Sequence, residues 1–342
     1  MLIHREQFLP SAAYFAVFAP PPPVSLSTSN VLRPDDHLAE RLAGDVVIGA
    51  GVTALVSPFL TVIDKALVQK SAGTATVVSS MLGSVSSMLR DPVAYAKSPT
   101  FLWMWATYAA TYTVANSIKT ITEHREHVAS MHPGRRTGAS ATPSTTTSSS
   151  SKNGSAMSQG AIFLGTTMAN TTACLAKDRA YAKLFGNPAA TKVPKISYAA
   201  WLLRDFSVIG SSFILPAYVA PVVKDAFNVS DSTARHVAQV GTPMAAQLVA
   251  GPLHFLGLDC FNRDLSSVKG LTNRVLDRSR FLTKTFKDVA LARMIRVLPG
   301  YGVAGVLNTH LRGQWRARLM QKEVREILDT KTVQRQSNLS IL

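Results

Sequence analysis

Cut at its charged residues, the chain falls into six apolar stretches of about 15 to 23 residues each, near the length a helix needs to cross a hydrocarbon core. The first, residues 46–63, is rich in small residues, with Gly49, Gly51 and Ala54 suited to close helix packing. The second, 98–118, is aromatic and carries Phe101, Trp103, Trp105, Tyr108 and Tyr112. Residues 160–176, 206–223, 236–258 and 297–311 supply the others. Six long, weakly charged stretches in one chain argue against an ordinary soluble helical core.

Charge distribution points the same way. The chain has a formal net charge of +16, yet its basic residues lie mainly between and after the apolar stretches, where membrane proteins meet anionic headgroups. Lipid, rather than nucleic acid, is the expected polyanionic partner. Cys174 and Cys260 sit inside apolar runs without a spaced Cys/His cluster, so neither a disulfide framework nor a metal site is expected. Gly-x-Ser-x-Gly, Gly-x-Gly-x-x-Gly, the phosphate-binding loop and His-Glu-x-x-His are all absent, and nothing supports an enzyme or a cofactor.

Before the first stretch, residues 1–38 form an extension too broken by Pro20 to Pro23 to span. Residues 131–158, rich in Ser and Thr, read as a flexible loop. After Arg312 the chain becomes a charged segment in which Trp315, Leu319, Val324 and Ile327 give an amphipathic helical pattern at the membrane surface, and residues 316–342 form its basic tail.

A repeat organises the rest. The odd stretches close on Asp64-Lys65, Asp178-Arg179 and Asp259-Cys260-Phe261-Asn262-Arg263, each an acid followed by a base. The even stretches echo one another through Tyr112-Thr113-Val114-Ala115, Tyr218-Val219-Ala220 and Tyr301-Gly302-Val303-Ala304. Three two-helix units result: residues 39–130, 159–230 and 231–315. The fold class expected is all-α, a bundle of six transmembrane helices, with kinks at Pro58, Pro216, Pro252 and Pro299.

On these residues the chain resembles the mitochondrial carrier family, whose odd helices end in Pro-x-(Asp/Glu)-x-x-(Lys/Arg). Ser57-Pro58-Phe59-Leu60-Thr61-Val62-Ile63-Asp64-Lys65 carries the resemblance furthest. It implies a multi-pass protein of a mitochondrial membrane that moves a small, anionic metabolite by alternating access. Asp64, Lys65, Asp178, Arg179, Asp259 and Arg263 would form its charge gate. A non-transporting scaffold that keeps the fold and organises the membrane is the alternative the resemblance leaves open.

Arg204 opens the fourth stretch beside Asp205, and Arg293 and Arg296 lead into the sixth. Arginine donates two parallel hydrogen bonds to a carboxylate, so all three are candidate substrate contacts if they face a cavity; snorkelling to the headgroups is the other reading. Gln247 and His254, within the fifth stretch, need polar partners if buried.

Overall fold

The computed structural model describes residues 37–131 and 149–339, apart from 191, 214, 266, 267 and 269. The N-terminal extension and residues 132–148 of the Ser/Thr-rich segment lie outside the described residues. Every regular element described is helical: α1 (Leu38–Ser71), α2 (Val77–Arg90), α3 (Pro92–Lys97), α4 (Pro99–Met131), α5 (Ser149–Phe185), α6 (Lys195–Phe213), α7 (Leu215–Phe227), α8 (Asp231–Asn262), α9 (Leu271–Val297) and α10 (Ala304–Leu339). A π-helical turn, Leu298–Val303, joins α9 to α10. α5 begins inside the segment expected to be loop.

The long helices alternate in direction. Asp45 on α1 meets Thr120 on α4, while Pro58 meets Tyr95 just before α4 begins. Thr100, Thr107 and Thr111 on α4 meet Tyr181, Ala173 and Asn170 on α5 in reverse order. Trp201 and Ser211 on α6 meet His254 and Thr242 on α8. Along α1, Asp45 and Asp64 meet Arg312 on α10 and Arg296 on α9. The ring therefore closes: α1 packs on α4, α4 on α5, α6 and α7 on α8, α8 on α9, and α9 and α10 return to α1.

The core runs along the inside of that ring. α1 contributes Val52, Val56, Leu60, Ile63 and Leu67, a stripe at helical spacing, against Met104, Tyr108 and Tyr112 of α4 and Phe255, Leu258 and Phe261 of α8. The outer face of α1 is apolar too, through Val47, Leu55 and Phe59, which are exposed. A helix apolar all round and open on one side fits a lipid surface. Gly49 lies against the backbone of Thr113, 3.1 Å from where a Cβ would stand, as close packing requires. Gly51 points outward and touches nothing, contrary to expectation.

Only part of the six-span expectation is met. α1, α8 and the continuous α9 to α10 column are long and apolar enough to cross a membrane, and α6 with α7 makes a fourth candidate, bent by 48°. α4 and α5 have 33 and 37 residues, but their Thr, Ser and Asn content dilutes the hydropathy. Nor is the three-unit repeat regular, since α2 and α3 follow α1 alone and the described residues of 186–194 and 263–270 hold no counterpart helix.

Prolines mark the breaks unequally. Pro216 stands next to the bend between α6 and α7, and Pro299 lies in the π-helical turn, where the hydrogen-bond register loosens. α1 continues through Pro58, and α8 through Pro252. The C-terminal helix docks on the start of α1 instead of lying apart: Trp315 packs on Gly44, Leu319 is buried, and Lys322 reaches Glu40 at 2.7 Å.

α2 is amphipathic with its polar side inward. Thr76 and Ser79 cap it reciprocally, Ser80 and Ser84 are buried, and Ser80 Oγ donates to Gln69 Oε1. Val78, Leu82 and Leu89 stand 66%, 65% and 74% exposed, a stripe that water would not favour and acyl chains would. A nitroxide on Leu82→Cys, in a Cys174→Ala/Cys260→Ala background in liposomes, is accordingly expected to be relaxed by dissolved oxygen more than by an aqueous nickel chelate. The reverse order would put α2 in water.

Candidate functional site

A cavity lies inside the ring where α4, α5, α6, α8 and α9 face one another. Its polar lining includes Tyr108, Asn170, Lys177, Arg204, Asp205, Gln247, Arg293 and Arg296. Apolar packing surrounds it, so its charges have only each other, and low-dielectric surroundings make good pairing obligatory.

Lys177 sits at the centre. Its Nζ is 2.7 Å from Asp64 Oδ2 and 2.5 Å from Asp178 Oδ1, and all three side chains are 1% exposed. Arg204 pairs with Asp178 and, at 2.7 Å, with Asp205 Oδ1. Arg296 Nε lies 3.2 Å from Asp64 Oδ1, and its Nη2 donates to the Tyr108 hydroxyl at 3.1 Å. One turn earlier on α9, Arg293 Nε donates to Gln247 Oε1 at 3.0 Å and Nη1 meets His254 Nδ1 at 2.6 Å. His254 Nε2 is 3.7 Å from Asp178 Oδ1. Asp205 Oδ2 is buried without a hydrogen-bond partner among the described residues.

Helix geometry explains the choice of partners. Residues 177 and 178 both turn inward at the end of α5, whereas Arg179, a further 100° around, is exposed and in no ion pair among the described residues. Lys65 likewise turns away from the acids and lies 5.4 Å over the Phe185 ring. Asp259 does not join the cluster. It pairs with Arg263, one turn on, and with Arg278, and Arg263 reaches Asp277 at 2.9 Å. So the structure brings together Asp64, Asp178, Arg204, Arg293 and Arg296, and leaves Lys65, Arg179, Asp259 and Arg263 outside.

Lys177 is the residue that reading by sequence misses. The acid-then-base pattern directs attention to the residue after each aspartate, and the structure uses the one before. Among the described residues, no group of His, Cys, Asp and Glu is placed to hold a metal ion.

A second polar cluster ties the opposite end of α1 to α4 and α10. Arg312 Nε is 2.7 Å from Asp45 Oδ1, Thr120 donates to Asp45, and the amides of Asn116 and Asn308 bond reciprocally at 2.8 and 3.0 Å. Asp45 and Asp64 are 19 residues apart, about 28 Å along a helix. The two clusters thus stand near opposite faces of a layer as thick as a bilayer core.

With this geometry in view, the comparisons decide the family. A profile of the probable citrulline exporter family matches residues 48–142 and 131–316, which together take in the ring and its cavity. The chain belongs to that family. No curated protein matches it. Membership in a probable citrulline exporter family makes the chain a membrane transporter and not an enzyme.

The match corrects the resemblance to mitochondrial carriers. Pro58 precedes Asp64 by six residues and Pro252 precedes Asp259 by seven, where the carrier motif asks for two, and the third stretch ends without a proline. An acid and a base at the end of an apolar helix are too common a pairing to carry kinship without that spacing. The scaffold alternative was built on the same resemblance, and the mitochondrial location has no footing without it.

Proposed function

We propose that this protein moves citrulline, or an amino acid close to it, across a membrane by alternating access, with the ionic cavity as the transit site. The observation that carries the reading is the cavity with the charges paired around it: Lys177, Arg204, Asp205, Arg293 and Arg296 line it, and Asp64 and Asp178 pair with its cations, inside a bundle whose outer surface is apolar. Ionisable groups at such a depth are costly, and they mark substrate pathways in transporters. The substrate is a zwitterion rather than the anion expected from the arginines, and its carboxylate still suits a guanidinium.

α4 and α5 complete the wall of the transit path. Their polar side chains turn toward neighbouring helices, as in Thr107 to Ala173 and Asn116 to Asn308, which supports their standing in the bilayer beside the more apolar spans. Asp64, Asp178 and Asp259 occupy matching ends of α1, α5 and α8, which supports a threefold repeat underlying the irregular loops. The Lys177 cluster and the Asp45 cluster would close the path at its two ends in turn.

Efflux tests the proposal. Liposomes carrying the purified protein and loaded with radiolabelled citrulline should release it well above protein-free vesicles. Arg296→Ala, which uncovers Asp64, should slow release by about 30-fold or more, the scale of a buried charge contact. Release no faster than from empty vesicles, or unchanged in a variant whose melting point is preserved, would refute it.

A further inference from the structure

One cation and one carboxylate oxygen in the cavity are left over from its own pairing. Every other buried cation there has a carboxylate: Lys177 has Asp64 and Asp178, Arg204 has Asp178 and Asp205, and Arg296 has Asp64. Arg293 has none among the described residues. Its contacts are the Gln247 amide and His254 Nδ1, and since a guanidinium only donates, that imidazole nitrogen must accept. The complementary remainder is on α6. Asp205 spends Oδ1 on Arg204, at 2.8 Å from Nε and 2.7 Å from Nη2, while Oδ2 has no hydrogen-bond partner among the described residues although the residue is 6% exposed. A buried polar atom left unsatisfied calls for a ligand or a functional reason. Both residues line the same cavity.

We propose that the cavity binds the two charges of an amino-acid head group at once, the ammonium at Asp205 Oδ2 and the carboxylate at Arg293. A neutral amine or a simple carboxylate would satisfy one remainder and strand the other. A zwitterion satisfies both, and it leaves the surplus of four cations over three carboxylates unchanged. A cationic side chain on the same head group would add to that surplus and is disfavoured. This assignment rests on the transport reading above and specifies which atoms of the substrate the site reads.

The test uses the full-length protein purified in detergent, with melting point as the readout, because a ligand that binds the folded state raises it. Three compounds share the ureido tail: L-citrulline, 5-ureidopentanoate, which lacks the amino group, and N-carbamoylputrescine, which lacks the carboxylate. Citrulline is expected to stabilise the wild type, and each analogue to bind more than about tenfold more weakly. In Asp205→Asn the preference for citrulline over 5-ureidopentanoate should vanish; in Arg293→Gln its preference over N-carbamoylputrescine should vanish. Equal binding of the three by the wild type overturns the assignment even if neither variant folds, and so does discrimination that survives in both variants. Stabilisation by alanine or glutamine but not by citrulline would remove citrulline as substrate and keep the head-group site. Silence toward every zwitterion in folded protein would overturn both.

Discussion

Lys177→Met should lower the melting point of the detergent-purified protein more than any other single change to the cavity. The lysine is the only cation that touches both Asp64 and Asp178 among the described residues, and removing it leaves two carboxylates facing each other across α1 and α5. Stripping one partner from a buried ion pair costs about 3–5 kcal/mol, because the remaining charge has neither water nor a counter-ion. Arg296 and Arg204 each compensate one of the aspartates in part, so the fold should survive in weakened form. Adding Asp64→Asn to Lys177→Met should then recover part of the loss, a coupling that a double-mutant cycle measures directly. If Lys177→Met melts with the wild type, the cluster is hydrated and the cavity is not the closed one described.

Gly257→Val should be the next most damaging change, and through packing rather than charge. A Cβ at Gly257 would meet the Trp201 indole ring, itself fully buried and bonded through Nε1 to the His254 carbonyl at 3.3 Å. Neither side can give: the ring is wedged between α6 and α8, and the glycine is one turn from His254. Overpacking of this kind costs about 1–3 kcal/mol and moves backbone. Here the displaced backbone carries His254, so citrulline efflux should fall along with stability. Gly241→Ala on the same helix meets nothing within 4 Å and serves as the control, expected to melt with the wild type. Equal melting points for Gly257→Val and Gly241→Ala would mean that α6 and α8 are not in the contact described.

Much of the architecture was legible because it depends on length and hydropathy. The first, third and fifth apolar stretches fall within α1, α5 and α8, the second lies almost wholly in α4, the fourth spans the break between α6 and α7 and the sixth runs through the π-helical turn into α10, and the bend beside Pro216 and the outward apolar face of α1 follow from the same physics. What escaped was information carried by angle. Whether Lys177 or Arg179 pairs with Asp178 depends on which of two residues about 200° apart faces inward, and a pattern counted along the chain holds no phase. The arginines at 204, 293 and 296 were picked out because charge next to an apolar run stands out. Asp45, Asn116, Asn308 and Arg312 were not, because each is unremarked in its own segment and becomes informative only when α1, α4 and α10 meet. α2 was missed for the opposite reason: its serines break the apolar run that a spanning helix would show, while its capping box at Thr76 and Ser79 is visible only to a search for short helices.

Closure of the ring by α10 has a consequence for how the protein is made. α1 carries Asp45 and Asp64, and the partner of Asp45, Arg312, lies 267 residues downstream on α10. Lys177 follows Asp64 by 113 residues, and Arg296 follows later still. Until those residues are translated α1 is an apolar helix with bare carboxylates, poorly suited to rest in lipid alone. Its residence in the bilayer becomes favourable as its counter-charges are translated, and the last of these described belongs to α10. A nascent chain that stops short of Arg312 leaves Asp45 on α1 without its guanidinium.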